Sequence, residues 1–196
     1  RRKTSAGGSG KGQGNGRSGG KGAGAGGKPG YAAGSGFFGL PTAAGKVVFI
    51  VDISGSMHGR RIRRAQTELR HTLESLKPSQ KFFVVFFSDG ATAMPAEGLL
   101  SATRDNIIQA WQWIRQAECG GGTNPLPAVL MALELKPDAI YLLTDGKFEP
   151  QVYFAATEAP PGARTPINTI GFATKKAERL LQAIANETGG SYRFVP

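Results

Sequence analysis

Val47-Val48-Phe49-Ile50-Val51-Asp52-Ile53-Ser54-Gly55-Ser56-Met57-His58-Gly59 is an apolar run that stops abruptly at a carboxylate and two hydroxyls. Unbroken apolar character over strand length predicts a strand covered on both faces, as parallel sheets require. The turn that follows such a strand in a nucleotide-binding fold is rich in glycine, because phosphate needs backbone N–H groups at close range. Here the turn puts forward oxygens instead, from Asp52, Ser54 and Ser56, and oxygens suit a cation. Alternation along the turn aims the three side chains to one side, and Gly55 is the residue expected to let the backbone bend.

Three further runs have the same character: Lys81 to Ser88, Ala139 to Thr144 and Ile167 to Phe172, beside the first at Lys46 to Ile53. Helical periodicity separates them. Ile62, Ala65, Leu69, Leu73 and Leu76 form one stripe, with Arg61, Arg64 and Glu68 on another face and Pro78 as the stop. Arg104 to Ala117 reads as a helix capped by Thr103, with Ile107, Ile108, Trp111 and Ile114 inward and the tryptophans as core anchors. Pro125 to Leu135 starts with prolines, which a first helical turn tolerates. Lys175 to Glu187 buries Ala177, Leu180, Leu181 and Ile184 and stops at Gly189. Ser191 to Val195 reads as a final strand and Ala91 to Pro95 as a short edge strand after the Ser88-Asp89-Gly90 turn. Strands alternating with helices give an α/β fold, a doubly wound, mainly parallel Rossmann-like sheet with helices on both faces. Its functional crevice is expected at the carboxyl ends of the strands.

The charge is unevenly spread. Of 196 residues, the first 45 hold 17 of the 29 glycines and seven Lys or Arg without an acid, leaving a formal charge of only +3 on the remainder. Residues 1–36 therefore read as a basic, Gly-rich, disordered linker, with 37–45 as a connecting segment and 46–196 as the folded domain. Phe37, Phe38 and Leu40 mark the return to ordered structure. The high overall charge belongs to the linker, so nucleic acid is an unlikely partner for the domain. Gly14-Asn15-Gly16-Arg17-Ser18-Gly19 matches a dinucleotide fingerprint in letters only, since no strand precedes it. The single cysteine, Cys119, forms no internal disulfide and reads as a small, half-buried hydrophobe. No apolar run is long enough to span a membrane. The chain starts at Arg1, which reads as a piece cut from a longer protein, monomeric as a domain, with compartment and membrane contact left open.

Two more loops carry oxygens at the same predicted edge: Gly120-Gly121-Gly122-Thr123-Asn124 and Leu142-Leu143-Thr144-Asp145-Gly146. Asp52, Ser54, Ser56, Thr123 and Asp145 then amount to two carboxylates and three hydroxyls. Such a set favours a hard divalent cation, Mg²⁺ first with Mn²⁺ or Ca²⁺ as alternatives, over zinc. At these positions the sequence resembles the von Willebrand factor type A (vWA) domain, the family that includes integrin inserted domains, and its metal-ion-dependent adhesion site (MIDAS), D-x-S-x-S with a separate Thr and a separate Asp. The resemblance covers about residues 46–196. It implies direct coordination by Ser54 and Ser56, with Thr123 and Asp145 acting directly or through water, and Asp52 acting mainly through water. It also implies a strand order of 3-2-1-4-5-6 and ligand-coupled movement of the last helix. Pro125 and Pro127 stiffen the Thr123 loop, which weighs against a large shift.

The expected function is a metal-dependent protein-binding module whose cation ligates an exposed Glu or Asp of a partner protein. The alternatives are a scaffold or assembly domain with a structural metal, and a metal-dependent hydrolase. Lys147 and His58 lie near the motif, but hydrolysis is disfavoured because hydroxyls stand where hydrolases tend to place more carboxylates and no Ser-His-Asp arrangement is evident. His58, Arg60, Arg61, Asn124 and Lys147 are the candidates for a partner-binding rim. The plainer reading of His58 is an exposed loop histidine, and that of the Arg60, Arg61, Arg63 and Arg64 cluster is a solvated helix face.

Overall fold

A computed structural model describes residues 36–196, so the expected linker lies outside the described residues apart from Gly36. The chain runs through β1 (Lys46–Asp52), α1 (Arg60–Ser75), β2 (Lys81–Phe87), β3 (Ala91–Ala93), β4 (Leu100–Ser101) and α2 (Arg104–Ile114). It continues through α3 (Leu126–Glu134), β5 (Ala139–Thr144), α4 (Gln151–Thr157), β6 (Ile167–Phe172), α5 (Glu178–Thr188) and β7 (Tyr192–Val195). The sheet order is β3-β2-β1-β5-β6-β7, with the two-residue β4 paired to the start of β2 on the edge that β3 shares. Leaving out β4, this is the 3-2-1-4-5-6 order implied by the resemblance. All ladders are parallel except those of β3 and β4 with β2.

Six of the seven residues of β1 and of β2 are buried, as are all six of β5, because helices cover both faces. Phe86 stacks on Trp113 of α2 at 4.5 Å, which puts α2 on one face beside α1. Opposite, the Thr169 hydroxyl donates to the Leu181 carbonyl of α5, in contact with α4 and through it α3. Strands that step toward β3 and strands that step toward β7 thus carry their helices on opposite faces, as right-handed crossovers demand.

The stripe of α1 is buried as predicted, from Ile62 to Leu76. Elsewhere the helices depart from expectation. In α2, Ile108 is 46% exposed and faces away from the core, while Ala110 and Ile114 are buried. That helix stops at Ile114, and α5 begins at Glu178 rather than Lys175. α4 has only seven residues and no long apolar period to announce it. The last helix, α5, precedes a strand and ends on left-handed Gly189 (φ 77°).

Phe37 to Leu40 form a tight turn closed by two backbone hydrogen bonds, Phe37 N–H to Leu40 C=O at 2.9 Å and the reverse at 3.0 Å. Its central residues, Phe38 and Gly39, have φ of 48° and 78°, the positive values of mirror-image turns. Phe37 is fully buried, with its ring 5.2 Å from Phe49 and 6.2 Å from Tyr141. Phe38 lies 5.3 Å from Phe172, and its N–H donates to Glu68 of α1. The face of α1 expected to be solvated is therefore engaged, since the Arg64 guanidinium also lies over the Phe38 and Phe172 rings. Among the described residues no helix is long and apolar enough to cross a membrane.

Candidate functional site

β1 and β5 are the neighbours at which the chain order reverses, so their carboxyl ends open the crevice of a doubly wound fold. Their register brings Asp52 and Thr144 together, and the Thr144 hydroxyl donates to Asp52 Oδ2 at 2.6 Å. Asp52 Oδ1 accepts the Ser54 backbone N–H at 2.7 Å, which turns the chain sharply after the strand. A short 3-10 turn, Gly55–Met57, then lifts Ser56 toward the end of β5. The Ser56 hydroxyl donates to Asp145 Oδ1 at 2.5 Å and lies 3.2 Å from the Ser54 hydroxyl. The left-handed residue of this stretch is Gly59 (φ 82°), the N-cap of α1, and not Gly55. The chain does turn at Gly55, where the 3-10 turn begins, but a Cβ there would meet only the Gly121 carbonyl at 3.7 Å, so the turn does not require glycine.

The glycine-rich loop is stitched to this turn from both sides. Gly120 N–H donates to the Ile53 carbonyl at 2.9 Å, and Gly55 N–H to the Gly121 carbonyl at 3.2 Å. Asp89 braces the loop by accepting the Gly122 N–H at 2.8 Å. Thr123 is thereby set against Gly146, where an added Cβ would lie 2.7 Å from its hydroxyl oxygen. No side chain larger than hydrogen fits there without moving Thr123, which makes Gly146 part of the cradle.

Asp52, Ser54 and Asp145 are 0%, 2% and 2% exposed, an unusual depth for two carboxylates. Burial pushes the Asp52 carboxyl above its ordinary range, against hydrogen bonds from Ser54 and Thr144, and the nearby Asp145 charge adds to the rise. One cation answers them: Arg61 of α1 donates to Asp145 Oδ2 at 2.6 Å and to the Ser56 carbonyl at 2.9 Å. Among the described residues no three His, Cys, Asp or Glu side chains converge on a point, so a cation here would need the hydroxyls as ligands besides the two carboxylates. Two carboxylates with backing hydroxyls do fit a hard cation. Cys119, half-buried nearby, has its thiol raised by burial and then by the Asp52 and Asp145 charges, which favours the thiol over the thiolate.

The rim candidates separate. Arg61 enters the site. Lys147 is exposed just past Gly146 and lines a cavity with the loop before α5. His58 and Arg60 are exposed, with no side-chain partner among the described residues. The Asn124 side chain is used locally, donating to the Asp89 carbonyl at 3.4 Å and accepting the Leu126 N–H at 3.3 Å at the start of α3. Sequence reasoning overlooked Thr144, Asp89 and Thr174, whose hydroxyl donates to the Asp145 carbonyl at 2.6 Å. Only Thr144 carried a signal, as the neighbour of Asp145.

The fold and site together define a doubly wound α/β domain with an oxygen-lined site at its switch point. A family model described as the von Willebrand factor type A domain matches residues 45–194, and the chain belongs to that family. It is similar to human von Willebrand factor A domain-containing protein 3B, 32% identical over 151 residues, covering 76% of this chain and 12% of that protein. Human inter-alpha-trypsin inhibitor heavy chain H4 is 30% identical over 175 residues, covering 80% of this chain and 19% of that one. The chain thus spans less than a fifth of the length of these relatives. Among solved structures, a von Willebrand factor type A protein from Catenulispora acidiphila has a TM-score of 0.68 at 21% identity, over 80% of this chain and 39% of that one. Proximal thread matrix protein 1 from the mussel byssus, with a zinc-occupied MIDAS motif, has a TM-score of 0.60 at 21% identity, over 77% of this chain and 42% of that one.

Proposed function

We propose that this domain is a metal-dependent protein-binding module in which Asp52, Ser54, Ser56, Thr123 and Asp145 hold a divalent cation. The observation that carries the reading is the burial of two carboxylates, linked to hydroxyls by short hydrogen bonds, at the open edge of a vWA sheet. Buried carboxylates of this kind are costly unless a positive charge is supplied, and Arg61 supplies only one. When bound, the cation offers an open coordination position for a carboxylate of a partner protein. The chain's own part is preorganisation. Asp52 is held by Ser54 and Thr144, Asp145 is fixed through Ser56 and Thr174, and Gly146 leaves room for Thr123. Three hydroxyls lower the charge of the donor set, so an incoming Glu or Asp is not repelled as it would be by further carboxylates. An all-oxygen set ranks Mg²⁺ and Mn²⁺ ahead of zinc, although a fold relative carries zinc in its MIDAS motif. The Ser56 and Thr144 hydroxyls already donate to carboxylates that, among the described residues, no histidine backs, an arrangement that supports ligation over nucleophilic catalysis.

Calorimetry with Mg²⁺ and Mn²⁺ on the wild type beside Asp145→Ala tests the reading. The wild type should bind one cation and the variant at least about tenfold more weakly, as loss of a charged ligand implies. Equal heats from the two proteins would sink it. Ser56→Ala, which removes a hydroxyl and no charge, keeps the test informative if Asp145→Ala fails to fold.

A further inference from the structure

The loop after β5 and the loop after β6 leave the sheet at the same edge, one strand further from β1 than the oxygen site. Between them lies a cavity of about 350 Å³ lined by Lys147, Phe148, Lys175, Lys176, Glu178 and Arg179, among others. Four of these side chains are cationic and exposed, against one carboxylate. Glu178 is already shared, pairing with Lys175 Nζ at 3.3 Å and accepting the Tyr192 hydroxyl at 3.3 Å, while Lys175 also lies 5.0 Å from the Phe194 ring centre. Among the described residues no ion pair engages Lys147, Lys176 or Arg179. The cavity is joined to the oxygen site by bonds as well as by position. Lys147 is two residues from Asp145, and Thr174, at the base of the second loop, donates to the Asp145 carbonyl. Ala173 in that loop holds φ at 57°, a left-handed value that a residue other than glycine adopts only where its surroundings impose it.

We propose that this basic cavity is a second subsite for the same partner, receiving acidic side chains that flank the carboxylate taken at the cation site. The protein would then recognise a cluster of acids rather than an isolated Glu or Asp. This rests on the metal-dependent reading above. The volume lies at the low end of the roughly 300–1,000 Å³ of small-ligand sites, so it takes a few side chains and no folded element. Uncompensated cations beside a site that itself selects carboxylates give the charge complementarity that steers and sorts partners. The formal charge outside the first 45 residues is only +3, which favours an acidic peptide over the extended phosphate backbone of a nucleic acid.

The test uses two labelled synthetic peptides, hexaglutamate and a single Glu flanked by Gly and Ser, titrated by fluorescence anisotropy with Mg²⁺ or with EDTA. The full chain is used as wild type and as the Lys176→Glu, Arg179→Glu double variant, with Mn²⁺ calorimetry on both. The wild type should prefer hexaglutamate by about tenfold, the order expected of three partly exposed ion pairs. The double variant should lose that preference while its Mn²⁺ binding is unchanged. A wild type that binds both peptides alike, or a preference that survives the double variant, overturns the subsite. Hexaglutamate binding that withstands EDTA yet falls in the double variant upholds the cavity and removes the metal-dependent reading instead. A short oligothymidylate or vesicles with phosphatidylserine that bind more tightly than hexaglutamate, and lose binding in the double variant, overturn the acidic peptide as occupant.

Discussion

Arg61 occupies the second position of α1, where the helix macrodipole is positive and a cation is disfavoured by about 0.3–1 kcal/mol. No acid in the first turn offsets it. Its compensation comes from 84 residues away, at Asp145, and such a pairing leaves no trace in local sequence. Asp52, Ser54 and Ser56 stand out as candidates because a strand ending in alternating oxygens is a local pattern, and Thr123 and Asp145 because each lies in a recognisable loop motif. The two glycines of this turn make a related point: composition identifies which residues permit positive φ, while the entry angle of α1 places that φ at Gly59 and leaves Gly55 in an ordinary 3-10 turn. A dication at the proposed site would compete with the Arg61 guanidinium, which holds Asp145 Oδ2. Arg61→Ala should therefore raise Mn²⁺ affinity by about two- to fivefold, the scale of a partly exposed ion pair. Calorimetry reads this directly: an unchanged affinity would remove the competition, and a weaker one would show that the guanidinium assists the site.

At the scale of elements, β1, β2, β5 and β6 were plain because fully covered strands leave long apolar runs. α4 and β4 were not, since seven residues and two residues are too short for periodicity to emerge. In α2 the periodicity misled: Ile108 turns outward, and Trp113 rather than Ile108 reaches the sheet, stacking on Phe86. The turn at Phe37 to Leu40 matters more than its length suggests, because it covers sheet residues that α1 alone leaves open. Phe37→Ala should cost about 3–5 kcal/mol, the usual range for a fully buried phenylalanine. Urea denaturation measures it, and a loss below about 1 kcal/mol would make the turn peripheral to the core.

For the molecule as a whole, stability at high pH depends on a phenol between these same layers. Tyr141 is buried beside Phe37 and Phe49, its hydroxyl donating to the Pro41 carbonyl, and burial lifts its pKa from 10 to about 12. The fold favours the neutral phenol, so this stabilisation is complete below pH 10 and is lost as pH rises through about 12. The loss is about 2–3 kcal/mol at ~1.4 kcal/mol per pKa unit. Tyr141→Phe should flatten the difference between urea midpoints at pH 9.5 and 11.5, and an undiminished slope would assign the alkaline loss to other groups. The aromatic turn has a mechanical consequence too. A pull applied at Gly36 would meet Phe37 and Phe38 before it met β1, as a cable meets its clamp before its terminal, and two buried rings would have to leave the core before the strand that leads to Asp52 took the load.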